Sequence, residues 1–309
     1  MSRAGHAEVR RDRPGPGRMS QALLRALDLD IKRRIDGLMP GSYRSTALGT
    51  GFEIAQVRPY VPGDDVRRID WNVTARTNEV HVRVQVPERS TTTWIVLDAS
   101  ASMHFGTADR RKADVAEGVS LAAAHIGSRG GNRVGLIAFG GQQERVMPPS
   151  QQSVGITRTL GTLRDAPLPD APGSTLGSAL ARAARTLRRG GVAFVVSDWR
   201  EDVAEWQRPL RLLVQHQHVL AVEVRDPREL WLPDIGDTYF VDFETGRQIR
   251  VDTSDKRVRD RFASAARAER AEVGRAVRAT GAHHVVLSTE GDWLRPLATF
   301  LRKGRRKRL

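Results

Sequence analysis

Five short runs of β-branched and apolar residues punctuate the chain beyond residue 90: TTWIVLD, NRVGLIAF, VAFVVSD, HVLAVEV and HHVVLST. Between and after them lie stretches with apolar residues at helical spacing, 109–128, 154–163, 176–188, 203–215 and 256–280. Runs this short and this apolar are strands that a sheet buries from both sides, and the amphipathic segments are the helices that cover it. Strand and helix in alternation make βαβ units, so the expected fold is α/β, a doubly wound and mostly parallel sheet. The later stretch DTYFVDFETGRQIRVDT reads as an inserted β-hairpin with its turn at ETGR.

The chain upstream has a different texture. Residues 1–18 are arginine-rich and broken by RPGPG, a composition that predicts disorder. Residues 19–89 combine an amphipathic helix expected over 21–38 with a small β-rich module, whose alternating stretches are 52–60 and 79–86. The α/β domain is expected over 90–300, followed by a basic tail over 301–309. Arg302, Lys303, Arg305, Arg306, Lys307 and Arg308 crowd into that tail and carry part of a formal net charge of +14.

Several function classes drop out on composition. With no cysteine there is no disulfide, zinc–thiolate site, iron–sulfur cluster or cysteine nucleophile. No apolar run approaches the roughly 18 residues that span a bilayer, and the arginine-rich start lacks an apolar signal-peptide core. The expected location is the cytoplasm. The positive charge is compatible with an anionic partner surface, but aromatics make up only 6% and do not interleave with the basic run, so nucleic acid is an unlikely partner.

The chemistry concentrates at strand ends. In an open α/β sheet, ligands bind beyond the carboxyl ends of the strands. TTWIVLD ends in Asp98, with Ser100 and Ser102 following at alternate positions, and VAFVVSD ends in Asp198. A third element, GSTLGSAL, places Thr175 at a helix start. Alone, Asp98 reads as a cap on the next turn; with the other elements it reads as a platform for a hard divalent cation. Mg2+ (or Mn2+) takes compact oxygen ligands, and a hydroxyl-rich set disfavours zinc and copper.

DASAS, the threonine of GSTLGSAL and the aspartate of VVSDW together resemble the metal-ion-dependent adhesion site of von Willebrand factor A domains. All five positions of that pattern are filled: Asp98, Ser100, Ser102, Thr175 and Asp198. The upstream stretch RPYVPGDDVRRIDWNVTAR, residues 58–76, resembles the signature of the bacterial "domain of unknown function 58" proteins, in which a small N-terminal region precedes such a domain. The resemblance covers roughly residues 40–290. It implies a metal-dependent protein-binding module working beside a MoxR-type AAA+ ATPase, in chaperone-like assembly or activation of other proteins.

Within that signature, Arg58, Tyr60, Asp64, Asp65, Arg67, Asp70, Trp71 and Arg76 read as an ion-paired network joining the two modules, and Pro62–Asp65 also as plain turn chemistry with Trp71 as core. Three functions remain open at this level. The leading one is a non-enzymatic, metal-dependent binder completed by an acidic side chain from a partner or client. A phosphatase-like enzyme using Asp98 as nucleophile wants a second carboxylate two residues on, where this chain has Ser100. The third is a binder of nucleic acid or an anionic surface through the basic ends.

Overall fold

The computed structural model describes residues 56–84, 91–128, 131–141, 143–151, 154–164, 173–241 and 248–303. The expected disordered start, the helix expected over 21–38 and most of the basic tail lie outside the described residues. The chain divides into two compact units, Pro40–Ser90 and the segment from Thr91 onward.

In the smaller unit, β1 (Gln56–Pro59) and β2 (His81–Val84) pair antiparallel, with Gln56 opposite Val84 and Pro59 opposite His81. Between them lie a 3-10 turn, Val66–Arg68, and a short helix that the alternation did not announce, α1 (Trp71–Thr77). Asp70 starts α1 by accepting from the N–H groups of Asn72 (3.1 Å) and Val73 (3.2 Å), an N-cap that satisfies two otherwise orphaned donors. Asn78 ends it in the left-handed region, φ 56°.

The larger unit is the doubly wound sheet. Its strands are β3 (Thr92–Asp98), β4 (Arg133–Phe139), β5 (Arg145–Ser150), β6 (Gly191–Ser197) and β7 (Gln217–Arg225). After the hairpin β8 (Asp237–Val241) and β9 (Gln248–Asp252), which forms a two-stranded sheet among the described residues, comes β10 (His283–Ser288). The spatial order is β10-β7-β6-β3-β4-β5, parallel throughout except that β5 runs antiparallel to β4. The expectation missed β5, whose RVMPPS carries two prolines. Proline cannot donate to a ladder, which confines such a strand to a sheet edge.

Helices cover both faces: α2 (Lys112–Gly127), α3 (Val154–Arg164) and α7 (Leu294–Lys303) on one, α4 (Leu176–Thr186), α5 (Val203–Val214) and α6 (Lys256–Ala279) on the other. The strand period of two sorts the residues between them. From β3, Ile95 and Leu97 join the core under α2, whereas Trp94 and Val96 join the core under α4 and α5. Trp206, Leu210 and Leu213, at i, i+4 and i+7 on α5, are wholly buried, each worth roughly 1.5–3 kcal/mol of transfer free energy as an upper bound. Helix α7 takes in Arg302 and Lys303, which the sequence reading had placed in the tail.

This order fixes the position of the site. From β3 the chain moves one way to β4 and β5, then returns to build β6, β7 and β10 on the other side. The crevice between the carboxyl ends of β3 and β6 is therefore the topological switch point. Asp98 and Asp198 stand there.

Candidate metal-ion-dependent adhesion site

Hydrogen bonds connect four of the five expected residues. The Ser100 N–H donates to Asp98 Oδ1 at 2.9 Å, folding the chain back over the carboxylate. The Ser100 and Ser102 hydroxyl oxygens lie 3.1 Å apart. Ser102 Oγ donates to Asp198 Oδ2 at 2.8 Å, joining residues 96 positions apart in sequence.

The fifth, Thr175, caps α4, its Oγ1 accepting from the Ser178 N–H at 3.1 Å. Its loop is held against the others by backbone packing. A Cβ on Gly140 would sit 2.9 Å from Ser100 and 3.1 Å from Asp98 Oδ1, and a Cβ on Gly173 would sit 2.6–2.8 Å from the Gly140–Gly141 backbone. Both glycines are there because three loops meet closely, and Gly140 also has a φ of +78°.

The chain supplies a supporting shell that the sequence reading missed. Ser197 Oγ donates to Asp98 Oδ2 at 2.6 Å and accepts the Trp199 N–H at 3.1 Å. Trp199 adopts φ 56°, unusual for so large a side chain, and is locked in place by an edge contact with Trp206 and by its Nε1–H to the Val222 carbonyl. Lys112, 1% exposed, places Nζ 2.7 Å from both Asp198 Oδ2 and Glu229 Oε1. Arg270 donates to the Asp198 carbonyl at 2.7 Å and bridges Glu223 (3.2 Å) and Glu229 (3.3 Å).

A signal for these residues was present. Lys112 falls on the same helical stripe as Val115, Ala116 and Val119, and Glu223 interrupts the apolar run HVLAVEV. A charge on a buried stripe demands a buried partner.

Asp226, a third acid at a strand end, anchors the loop after Ser102. It accepts from the Thr107 N–H (2.8 Å) and Oγ1 (2.6 Å), from Thr289 Oγ1 (2.7 Å) and from the Arg228 N–H (2.9 Å).

The two site aspartates differ in electrostatics. Burial pushes Asp98 up, the negative charge of Asp198 pushes it further, and together they outweigh its hydrogen bonds from Ser100 and Ser197, leaving it at about 7. Burial acts on Asp198 in the same sense, but there the charge and hydrogen bond of Lys112, with help from Ser102 and Arg270, win and hold it below the usual carboxylate value. Asp98 is thus the carboxylate short of a positive charge.

The donors fit a hard divalent cation. They are carboxylate and hydroxyl oxygens, with no nitrogen or sulfur among the five. Among the described residues no group of three or more His, Asp or Glu side chains forms a metal cluster, and the carboxylates of the five are Asp98 and Asp198.

The signature of the smaller unit resolves into local contacts. Arg58 grips Asp64 with two bonds, 2.8 and 2.7 Å, and the Val61 N–H donates to the same carboxylate. Asp65 caps the 3-10 turn through the Arg67 N–H and lies 4.0 Å from Arg68. The Tyr60 N–H donates to the Val80 carbonyl, and Arg76 Nε to the Asn72 carbonyl. Trp71 is 69% exposed, which corrects the reading of it as core.

The family model described as "Protein of unknown function DUF58" matches residues 56–272. The chain belongs to that family. It is 41% identical over 291 residues to uncharacterized protein Rv1480 of Mycobacterium tuberculosis and to uncharacterized protein Mb1516 of Mycobacterium bovis, covering 92% of this chain and 90% of each relative. Among solved structures, similarity extends to the conserved hypothetical protein BatB of Bacteroides thetaiotaomicron (15% identity, 70% of this chain, 98% of that one, TM-score 0.45). It extends also to the SpRpn10 VWA domain (15% identity, 69% and 94%, TM-score 0.38). Among the described residues no helix is long and apolar enough to cross a membrane.

Proposed function

We propose that this member of the DUF58 family is a non-enzymatic protein-binding module whose contact with a partner depends on Mg2+ or Mn2+ at Asp98, Ser100, Ser102, Thr175 and Asp198. The observation that carries the reading is the unequal treatment of the two aspartates. Lys112 neutralises Asp198, while Asp98, buried at the switch point, has hydroxyl and N–H donors but, among the described residues, no cation of its own.

A divalent ion bound there would supply the missing charge and a coordination position for an acidic side chain of the partner. The protein's residues divide the remaining work. Asp98 is the direct anionic donor, and Ser197 and the Ser100 N–H hold its plane. Ser100 and Ser102 present hydroxyl oxygens from one turn. Asp198, tied to Lys112, orients Ser102 by accepting its hydrogen. Thr175 lends a hydroxyl from the loop that Gly140 and Gly173 allow to approach.

The partner proposed is a MoxR-type AAA+ ATPase, or a client presenting an exposed aspartate or glutamate, in assembly or activation of other proteins in the cytoplasm. The test is capture of a purified MoxR-type ATPase by the full chain in millimolar Mg2+ and in chelator. Capture is expected in Mg2+ and lost in chelator or on Ser102→Ala. Equal capture in chelator would contradict the metal dependence.

A further inference from the structure

A second feature lies away from the adhesion site, along the open edge of the sheet. Strand β10 is the edge strand, and its two faces are treated differently. Val285 and Leu287 are buried under α7, whereas His284 is half-buried and Val286 is 38% exposed on the side facing α6. Helix α6 does not close over this margin. A groove of about 320 Å3 runs between them.

The α6 wall is one stripe of the helix. Arg267, Arg270, Ala271, Gly274 and Arg278 follow at spacings of three, one, three and four residues. The two smallest residues occupy the middle, and guanidinium groups stand at both ends. Arg278 leans back toward the helix start, so that a Cβ on Gly274 would lie 3.2 Å from its Nη1. The opposite wall brings Arg225 and His284.

The groove's charges are arranged, not merely accumulated. Glu223, wholly buried beneath it, accepts from Arg225 (2.6 and 2.9 Å), Arg270 (3.2 Å) and His284 (2.9 Å), and Glu229 accepts from Arg270 as well (3.3 Å), so that two carboxylates fix three basic groups. Arg267 and Arg278 have no ion pair or side-chain hydrogen bond among the described residues, and both are exposed. Four guanidinium groups therefore line a space the size of a small-molecule site with an incomplete internal counter-charge.

We infer that this groove binds a phosphate-bearing small molecule, with Arg267 and Arg278 gripping the phosphoryl oxygens and Arg225, positioned by Glu223, completing the cradle. Planar guanidinium forks match the paired oxygens of a phosphate and hold it in bidentate fashion. The small floor at Ala271 and Gly274 gives the anion room against the helix. A volume of about 320 Å3 is that of a small-molecule site.

Arg270 is shared with the adhesion site, since it also donates to the Asp198 carbonyl. Arg267 and Arg278 make no contact with the five proposed metal ligands among the described residues. Variants there separate this inference from the metal reading.

The experiment is calorimetric titration of inorganic phosphate and pyrophosphate into the full chain at constant ionic strength, in chelator. Saturable binding is expected, tighter for pyrophosphate, and weakened at least tenfold in the double variant Arg267→Gln/Arg278→Gln. Ala271→Asp, which places a carboxylate on the groove floor, is expected to abolish it, with unfolding temperatures of both variants matching the parent. Absence of saturable binding of either anion at millimolar concentration would overturn the inference. So would equal affinity in parent and double variant, or displacement of pyrophosphate by an equal concentration of a hexaglutamate peptide.

Discussion

Lys112 Nζ lies 2.7 Å from Asp198 Oδ2, and among the described residues no ion pair reaches Asp98, the other aspartate at the switch point. One carboxylate is neutralised within the fold, while the other meets hydroxyl and N–H donors among the described residues.

Metal-free protein is expected to gain stability when Asp98 is replaced by asparagine. Asp98→Asn keeps the shape, offers its Oδ1 to the Ser100 N–H and its Nδ2 to Ser197, and removes a buried negative charge beside Asp198. In chelator at pH 8 its unfolding temperature should exceed that of the parent by on the order of 3 °C. Millimolar Mg2+ should then raise the parent and leave the variant unmoved, since only a ligand of the native state stabilises. A variant that melts lower than the parent in chelator would count against the assignment.

Lys112→Met should have the opposite effect. Asp198 and Glu229 would be left buried without their shared ammonium, a loss of about 3–5 kcal/mol. Chemical denaturation measures it. Adding Glu229→Gln should recover part of the loss, because the two substitutions act on one contact. Strict additivity would show that the pair is not coupled.

The sequence made the strand-end acids plain, whereas it marked Lys112 and Glu223 only as charges on buried stripes and did not say which partners they meet. Strand runs announce themselves by length and β-branching, so Asp98 and Asp198 stood out as acids closing buried strands. The limits of β3 and of α3 to α6 were legible to within two residues. Lys112 opens a helix and Glu229 sits in a turn, places where a charge ordinarily faces water. That they meet depends on β6 lying between β3 and β7, a fact of topology that no local pattern carries. Strand β5 was obscured by its prolines, and α1 by the turn chemistry of the residues just before it.

Asp226 gives the pH dependence. Burial pushes its carboxyl up, but the hydroxyl and N–H of Thr107, with Thr289 and the Arg228 N–H, hold it below the usual carboxylate value. A depressed folded-state value means that its contribution is present above the unfolded value, near 4, and is lost as pH falls through the folded one. Asp226→Asn should cost about 1–3 kcal/mol at neutral pH. The gap should hold down to about pH 5 and close below about pH 4. Urea denaturation of both proteins from pH 3 to 7 checks it; a gap that widens on acidification would contradict the geometry.

The central claim is that Asp98 and its neighbouring hydroxyls bind a divalent ion. The most direct measurement is calorimetric titration of Mg2+ and Mn2+ into the full chain, beside Asp98→Ala and Ser102→Ala variants shown to be folded. The account predicts saturable binding by the parent at one site, lost in Asp98→Ala and at least tenfold weaker in Ser102→Ala. Binding of equal affinity in all three proteins would place the ion elsewhere and contradict it.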